Sequence, residues 1–95
     1  MKTAKRKGTK NERRSRALLE ALGYRVTRSA ASLGPWDLVA YNESRWLVCQ
    51  VKSNVVPYGR EWGELRLAAA GMPPQTKKVI HVWHDRQREP EVLGL

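Results

Sequence analysis

Two apolar runs, Trp36 to Tyr41 and Arg45 to Lys52, flank the turn-forming stretch Asn42-Glu43-Ser44, and this arrangement constrains the fold more than any other feature. So short a connection makes an antiparallel hairpin the economical reading. Both runs are apolar at odd and even positions alike. A strand with two apolar faces belongs at the centre of a sheet covered on both sides.

The flanking segments supply the covers. Thr9 to Leu22 is predicted to be a helix: Thr9-Lys10-Asn11-Glu12 has the form of a capping box, Leu18, Leu19 and Leu22 form an apolar stripe, and Gly23 is placed to stop it. Before it, Met1 to Gly8 reads as a mobile basic arm. Tyr24 to Ser29 alternates as a strand does, and the small-residue loop Ala30 to Pro35 leads into the hairpin. Beyond the hairpin, Ser53 to Gly59 reads as a loop and Arg60 to Ala70 as a second helix, with Trp62, Leu65 and Ala69 on one face and Glu61 and Glu64 near its start. Gly71, Pro73 and Pro74 end it, and Lys78 to Trp83 is a β-branched strand. The tail after Asp85 carries no clear pattern. At 95 residues there is material for one core. The expectation is a single small α/β domain over residues 9–95, a central mixed β-sheet flanked by helices, preceded by an arm over residues 1–8.

Charge narrows the partner. Lys and Arg number 18 against nine Asp and Glu, a net +9, and Met1 to Arg16 alone holds eight cations and one acid. A polyanion, and nucleic acid in particular, is the expected partner. Lys5, Arg6, Lys7, Lys10 and Arg13 are candidates for phosphate contact, as are Arg25 and Arg28 on the first strand, for which solvated surface charge is the alternative. The longest apolar stretches, five to seven residues, fall well below the roughly 20 needed to cross a bilayer, and no signal region opens the chain, so a cytoplasmic protein with no membrane partner is expected. Cys49 has no second cysteine to pair with, and with His81 and His84 it makes no zinc set. Trp46, Trp62 and Trp83 read as core residues, while Trp36, beside Asp37, is open to either role.

Period two along the third strand puts Gln50 and Lys52 on one face, with Leu47, Cys49 and Val51 on the other. A hairpin closed with Asn42 opposite Arg45 places Asp37 across from Gln50, so an acid, an amide and a lysine converge. A carboxylate oxygen of Asp37, the side-chain oxygen of Gln50 and the Val51 carbonyl are a hard oxygen set of the kind that holds magnesium, and Lys52 could orient a water or offset developing charge. The bland alternative is a structural ion pair between Asp37 and Lys52.

Taken together, Lys7-Gly8-Thr9-Lys10-Asn11-Glu12-Arg13, Arg28-Ser29-Ala30-Ala31-Ser32, Asp37 and Gln50-Val51-Lys52 resemble the PD-(D/E)XK nuclease signature in the form used by archaeal-type Holliday junction resolvases and their phage relatives. The resemblance, from about Lys7 to Ser53, implies a restriction-endonuclease-like fold and a metal-dependent active site served by Glu12, Asp37, Gln50 and Lys52, with Glu12 joining the metal set and Ser32 matching a loop serine. It implies Mg2+, with Mn2+ as a substitute, and a homodimer that resolves four-way junctions by paired cuts, in the host cytoplasm if phage-encoded. Two departures stand out: Trp36 separates Pro35 from Asp37, and Gln50 occupies the usual acid position, where some members of the superfamily also carry glutamine. A replication-repair-type nuclease of flaps or nicks and a catalytically silent DNA-binding module are the alternatives.

Overall fold

Asn42 sets the register of the hairpin. Its side-chain oxygen accepts the backbone N–H groups of Ser44 and Arg45 at 2.8 and 3.0 Å, and its own N–H donates to the Arg45 carbonyl at 3.1 Å. The computed structural model describes residues 2–29 and 34–95, the first six as backbone alone. Along the chain run α1 (Lys2–Ala21), β1 (Arg25–Arg28), β2 (Leu38–Tyr41), β3 (Trp46–Ser53), α2 (Gly59–Ala70), β4 (Lys77–Trp83) and β5 (Glu91–Gly94).

The strands form one five-stranded sheet in the order β1-β2-β3-β4-β5, parallel between β3 and β4 and antiparallel elsewhere. A parallel pair needs a crossover, and α2 supplies it. In the hairpin the pairs run from Leu38 opposite Cys49 to Tyr41 opposite Trp46, the register the turn predicts.

Both faces of the sheet are covered, as the two-sided apolar strands require. On one, Leu19 of α1 packs with Val26, Leu38, Ala40, Leu47, Cys49 and Val79. On the other, Ala69 of α2 packs with Trp36 and Val48, while Leu65 packs with Ile80 and Val82. Trp36 is therefore a core residue, 3% exposed.

Four expectations need correction. Helix α1 begins at Lys2, so the segment read as a mobile arm is helical backbone and Thr9 lies inside the helix rather than at its cap; Lys and Arg are good helix formers, and one glycine does not interrupt them. Trp46 is 57% exposed rather than core, because it opens β3 at the hairpin end, where its ring centre lies 5.1 Å from that of Tyr41. Leu22 is likewise exposed, beyond the last turn of α1. Strand β5, with only Val92 and Leu93 as apolar residues, is an addition that tertiary pairing to β4 creates.

Candidate active site

Asp37 lies just before β2 and spans its neighbours on both sides. Its carbonyl accepts the Ser29 N–H at 2.9 Å, its N–H donates to the Cys49 carbonyl at 2.9 Å, and its Oδ2 accepts the Val51 N–H at 2.7 Å. The ladder ends at Leu38 opposite Cys49, so the expected Asp37–Gln50 strand pair gives way to a carboxylate that reaches across β3. The N–H and C=O of one strand residue point to the same side, so the Val51 carbonyl also opens toward β2.

Glu12 comes to this end of the sheet from α1. It meets the Arg28 guanidinium at 3.3 Å, and Arg28 pairs in the sheet with Leu38, next to Asp37. Burial pushes the Glu12 carboxyl above its ordinary value, the Asp37 charge adds to that, and Arg28 works against it. Asp37 is raised as well, first by burial, with the Val51 N–H, Arg28 and Lys52 pulling it back. Two partly desolvated carboxylates, with the charge of Asp37 acting on Glu12, make a place where a cation is favoured.

Gln50 and Lys52 lie on the α2 face, by alternation with Val48. The Gln50 Oε1 is buried and has no hydrogen-bond partner among the described residues. Lys52 Nζ donates to Glu61 Oε2 of α2 at 2.8 Å, so the lysine forms its ion pair with Glu61 rather than with Asp37. Among the described residues no three His, Cys, Asp or Glu side chains form a metal-binding group. The oxygens at this end of the sheet are two carboxylates, of Glu12 and Asp37, while position 50 carries an amide in place of an acid. Their oxygens are the hard donors a Mg2+-type ion takes, and an orphaned buried oxygen is one such donor without a protein partner.

A cleft of about 210 Å³ runs beside Glu12, lined by Thr9, Arg13, Arg16, Arg28 and Leu38. It joins Arg13 and Arg28, both expected from sequence, to Arg16, which sequence reasoning missed although its place one turn beyond Glu12 and Arg13 was readable. Lys10 is exposed on α1. Arg25 lies elsewhere: it pairs with Tyr41 and lines a separate cleft with Asn42, Glu43 and Ser44. Three strand residues, about 10 Å, separate it from Arg28. Ser32 and the side chains of Lys5, Arg6 and Lys7 lie outside the described residues.

Burial pushes the Cys49 thiol up to about 12, and it is fully covered. His81 is buried in the sheet, whereas His84 follows β4 and meets Glu91 at 2.9 Å, so they share no site.

The family model for the archaeal Holliday junction resolvases (Hjc) matches residues 3–56, more than half of the chain. The chain belongs to this family. Membership makes it a junction-resolving nuclease, a DNA-binding protein of recombination and repair. Among solved structures, the fold is similar to that of Archaeoglobus fulgidus Hjc, described at 1.6 Å as a Holliday junction resolvase from an archaeal hyperthermophile, with a TM-score of 0.69 and 24% identity over 93% of this chain and 72% of that one. No curated protein matches the sequence. The resolvase fold thus accounts for the mixed sheet and both helices, and the matched segment contains Glu12, Asp37, Gln50 and Lys52.

Proposed function

We propose that the chain resolves four-way DNA junctions by divalent-cation-dependent phosphodiester hydrolysis. Asp37, Glu12, the Gln50 side-chain oxygen and the Val51 carbonyl hold the cation, with Mg2+ as the ion and Mn2+ as a substitute. The cation supplies Lewis-acid activation of the scissile phosphate and of water. The Val51 N–H fixes the Asp37 carboxylate in place, and the Lys52 ammonium offsets the negative charge that develops at the phosphate. Arg13, Arg16 and Arg28 line the path of the backbone beside Glu12, with Lys5, Arg6, Lys7 and Lys10 extending it along α1 and Arg25 gripping a more distant phosphate. Ser32, which matches the family's loop serine, joins the catalytic set. Two related cuts require two sites, so the working unit is a two-fold homodimer. It acts on branched DNA in the cytoplasm. No helix among the described residues is long and apolar enough to cross a membrane.

The observation that carries this reading is the placing of Glu12 and Asp37 at one end of the sheet, Glu12 on Arg28 and Asp37 on the Val51 N–H, within the segment that the resolvase family model matches. A labelled synthetic four-way junction tests it. The parent chain should release symmetrically nicked duplexes with Mg2+ and none with chelator. Asp37→Asn keeps an oxygen for the Val51 N–H, so it should fold and bind the junction while cleaving on the order of 10³-fold more slowly. Cleavage that persists in Asp37→Asn or in chelator would overturn the reading.

A further inference from the structure

The E-x-K pair of this superfamily places an acid two residues before the lysine on the same strand face. Here that position holds Gln50, which brings no charge, and its Oε1 is buried without a partner among the described residues. The lysine is nevertheless paired: Lys52 Nζ and Glu61 Oε2 stand 2.8 Å apart. The acid comes from α2, nine residues on.

The chain is built to deliver Glu61 there. Gly59 opens α2 with φ +56°, a left-handed conformation that side chains rarely adopt, and it turns the chain into the helix just beyond the site. Glu61 lies in the first turn, where the helix dipole favours an acid. Tyr58, at the N-cap, offers no side-chain hydrogen bond to the free amides, which leaves that turn in need of negative charge. The Lys52 side chain is 23% exposed and that of Glu61 43%, so the pair sits at the rim of the fold, not in its core.

We propose that Glu61 is the positioning acid of Lys52, supplying from α2 the charge that Gln50 no longer provides from β3. This rests on the functional reading above. Glu61 fixes the direction of the lysine ammonium and balances it until a phosphate takes its place; it does not touch the cation.

The test compares the full-length parent with Glu61→Gln, Glu61→Asp, Gln50→Glu and the double variant Gln50→Glu/Glu61→Gln. Single-turnover cleavage of a four-way junction gives the rate, binding of the same junction in Ca2+ gives affinity, calorimetric titration with Ca2+ gives cation binding, and thermal melting reports the fold. Glu61→Gln should cleave roughly 10- to 100-fold more slowly, with junction affinity and Ca2+ binding unchanged and Tm lowered by no more than the few degrees that loss of a rim ion pair and a helix-start acid brings. Glu61→Asp, which keeps the charge on a shorter arm, should lose less. The double variant should regain most of the rate, because an acid at position 50 again stands two residues from Lys52. A helix-packing role for Glu61 would not respond to a charge placed on β3.

An active parent with Glu61→Gln cleaving at the parent rate overturns the proposal, as does a slow Glu61→Gln that Gln50→Glu fails to rescue. Weaker Ca2+ binding in Glu61→Gln also overturns it, by making Glu61 a ligand. A parent chain that leaves the junction intact defeats the functional reading and the proposal with it.

Discussion

Under α1 the sheet meets Asn11, Ser15 and Leu19, a buried line in which two of three side chains are polar, whereas under α2 it meets Leu65 and Ala69 packed on Trp36, Val48, Ile80 and Val82. The α1 face is stitched by directed bonds. Trp83 Nε1 donates to Ser15 Oγ at 2.7 Å, Ser15 Oγ meets His81 Nδ1 at 2.9 Å, and Asn11 Nδ2 donates to Ser53 Oγ at 2.7 Å. On the α2 face helix and sheet are joined at the rim by the pair of Lys52 and Glu61. Apolar contact resists separation but is indifferent to sliding, while a hydrogen bond fixes rotation and translation together. Glu12 follows Asn11 directly, so the face with directed bonds is the one that holds an acid against Asp37. The face without them secures its own acid by an ion pair.

If that contrast is right, acid should attack the α1 face first. Burial lowers the His81 imidazole from 6.5 to about 4. The indole nitrogen can only donate, so Ser15 accepts from Trp83; toward His81 Nδ1 the hydroxyl can donate its proton or accept a second bond, and it is burial that favours the neutral ring. The unfolded chain takes up a proton near 6.5 and the folded one only near 4, so the stabilisation is complete above pH 6.5 and is lost as pH falls. The loss across that window should be on the order of 3 kcal/mol. Glu12 and Asp37 act with the opposite sign at its acid end, since their raised carboxyls protonate in the fold before they do in the unfolded chain. Denaturant unfolding from pH 7 to 4.5, with NMR titration of the imidazole, measures the effect. Stability flat over that range, or a ring that titrates near 6.5, would break the comparison.

Ser15→Ala sharpens it without changing charge. The substitution strands the Trp83 N–H and the His81 nitrogen in a fully buried place, at about 1–3 kcal/mol for an unsatisfied group. Unfolding by denaturant should show that loss, and junction cleavage per folded molecule should fall with it, because α1 carries Glu12. A loss of stability with an unchanged cleavage rate would mean that the stitching holds the helix on without placing its acid.

The sequence made the hairpin legible because one residue, Asn42, determines the turn, and the turn determines which faces Gln50 and Lys52 occupy. It also made Glu12 and Asp37 legible, through a resemblance that rests on local motifs. The start of α1 was hidden because a cationic run reads equally as arm or helix, and Thr9 to Glu12 imitates a cap that the longer helix does not use. The buried line of α1 was hidden for a related reason: Leu18, Leu19 and Leu22 look like the packing stripe, but the sheet takes Asn11, Ser15 and Leu19, and polar core residues declare themselves only when their partners on β3 and β4 are in place. Glu61 was visible as an acid at a helix start, with nothing local to connect it to a lysine nine residues earlier. Strand β5 exists because β4 offers an edge, and its own residues carry almost no signal.

The smallest effect is expected at Arg14, which ties the stitched face together at its rim. Its guanidinium carbon lies 4.0 Å from the centre of the Trp83 ring, one nitrogen donates to the Gln87 carbonyl at 2.9 Å, and the other to Asn11 Oδ1 at 3.3 Å. A planar fork does all three at once; an ammonium cannot. Arg14→Ala should cost about 1 kcal/mol, near the middle of the range for a partly solvated cation over an aromatic ring. For a chain of this size that lowers Tm by roughly 4–8 °C. Arg14→Lys keeps the charge and part of the ring contact but loses the bridge from Gln87 to Asn11, so it should recover only part of the stability. The two variants separate charge from geometry. If Lys restores the full Tm, the cation alone matters and Asn11 is held by Ser53; if Lys behaves like Ala, the fork is what keeps Asn11, and the acid beside it, in register with the sheet.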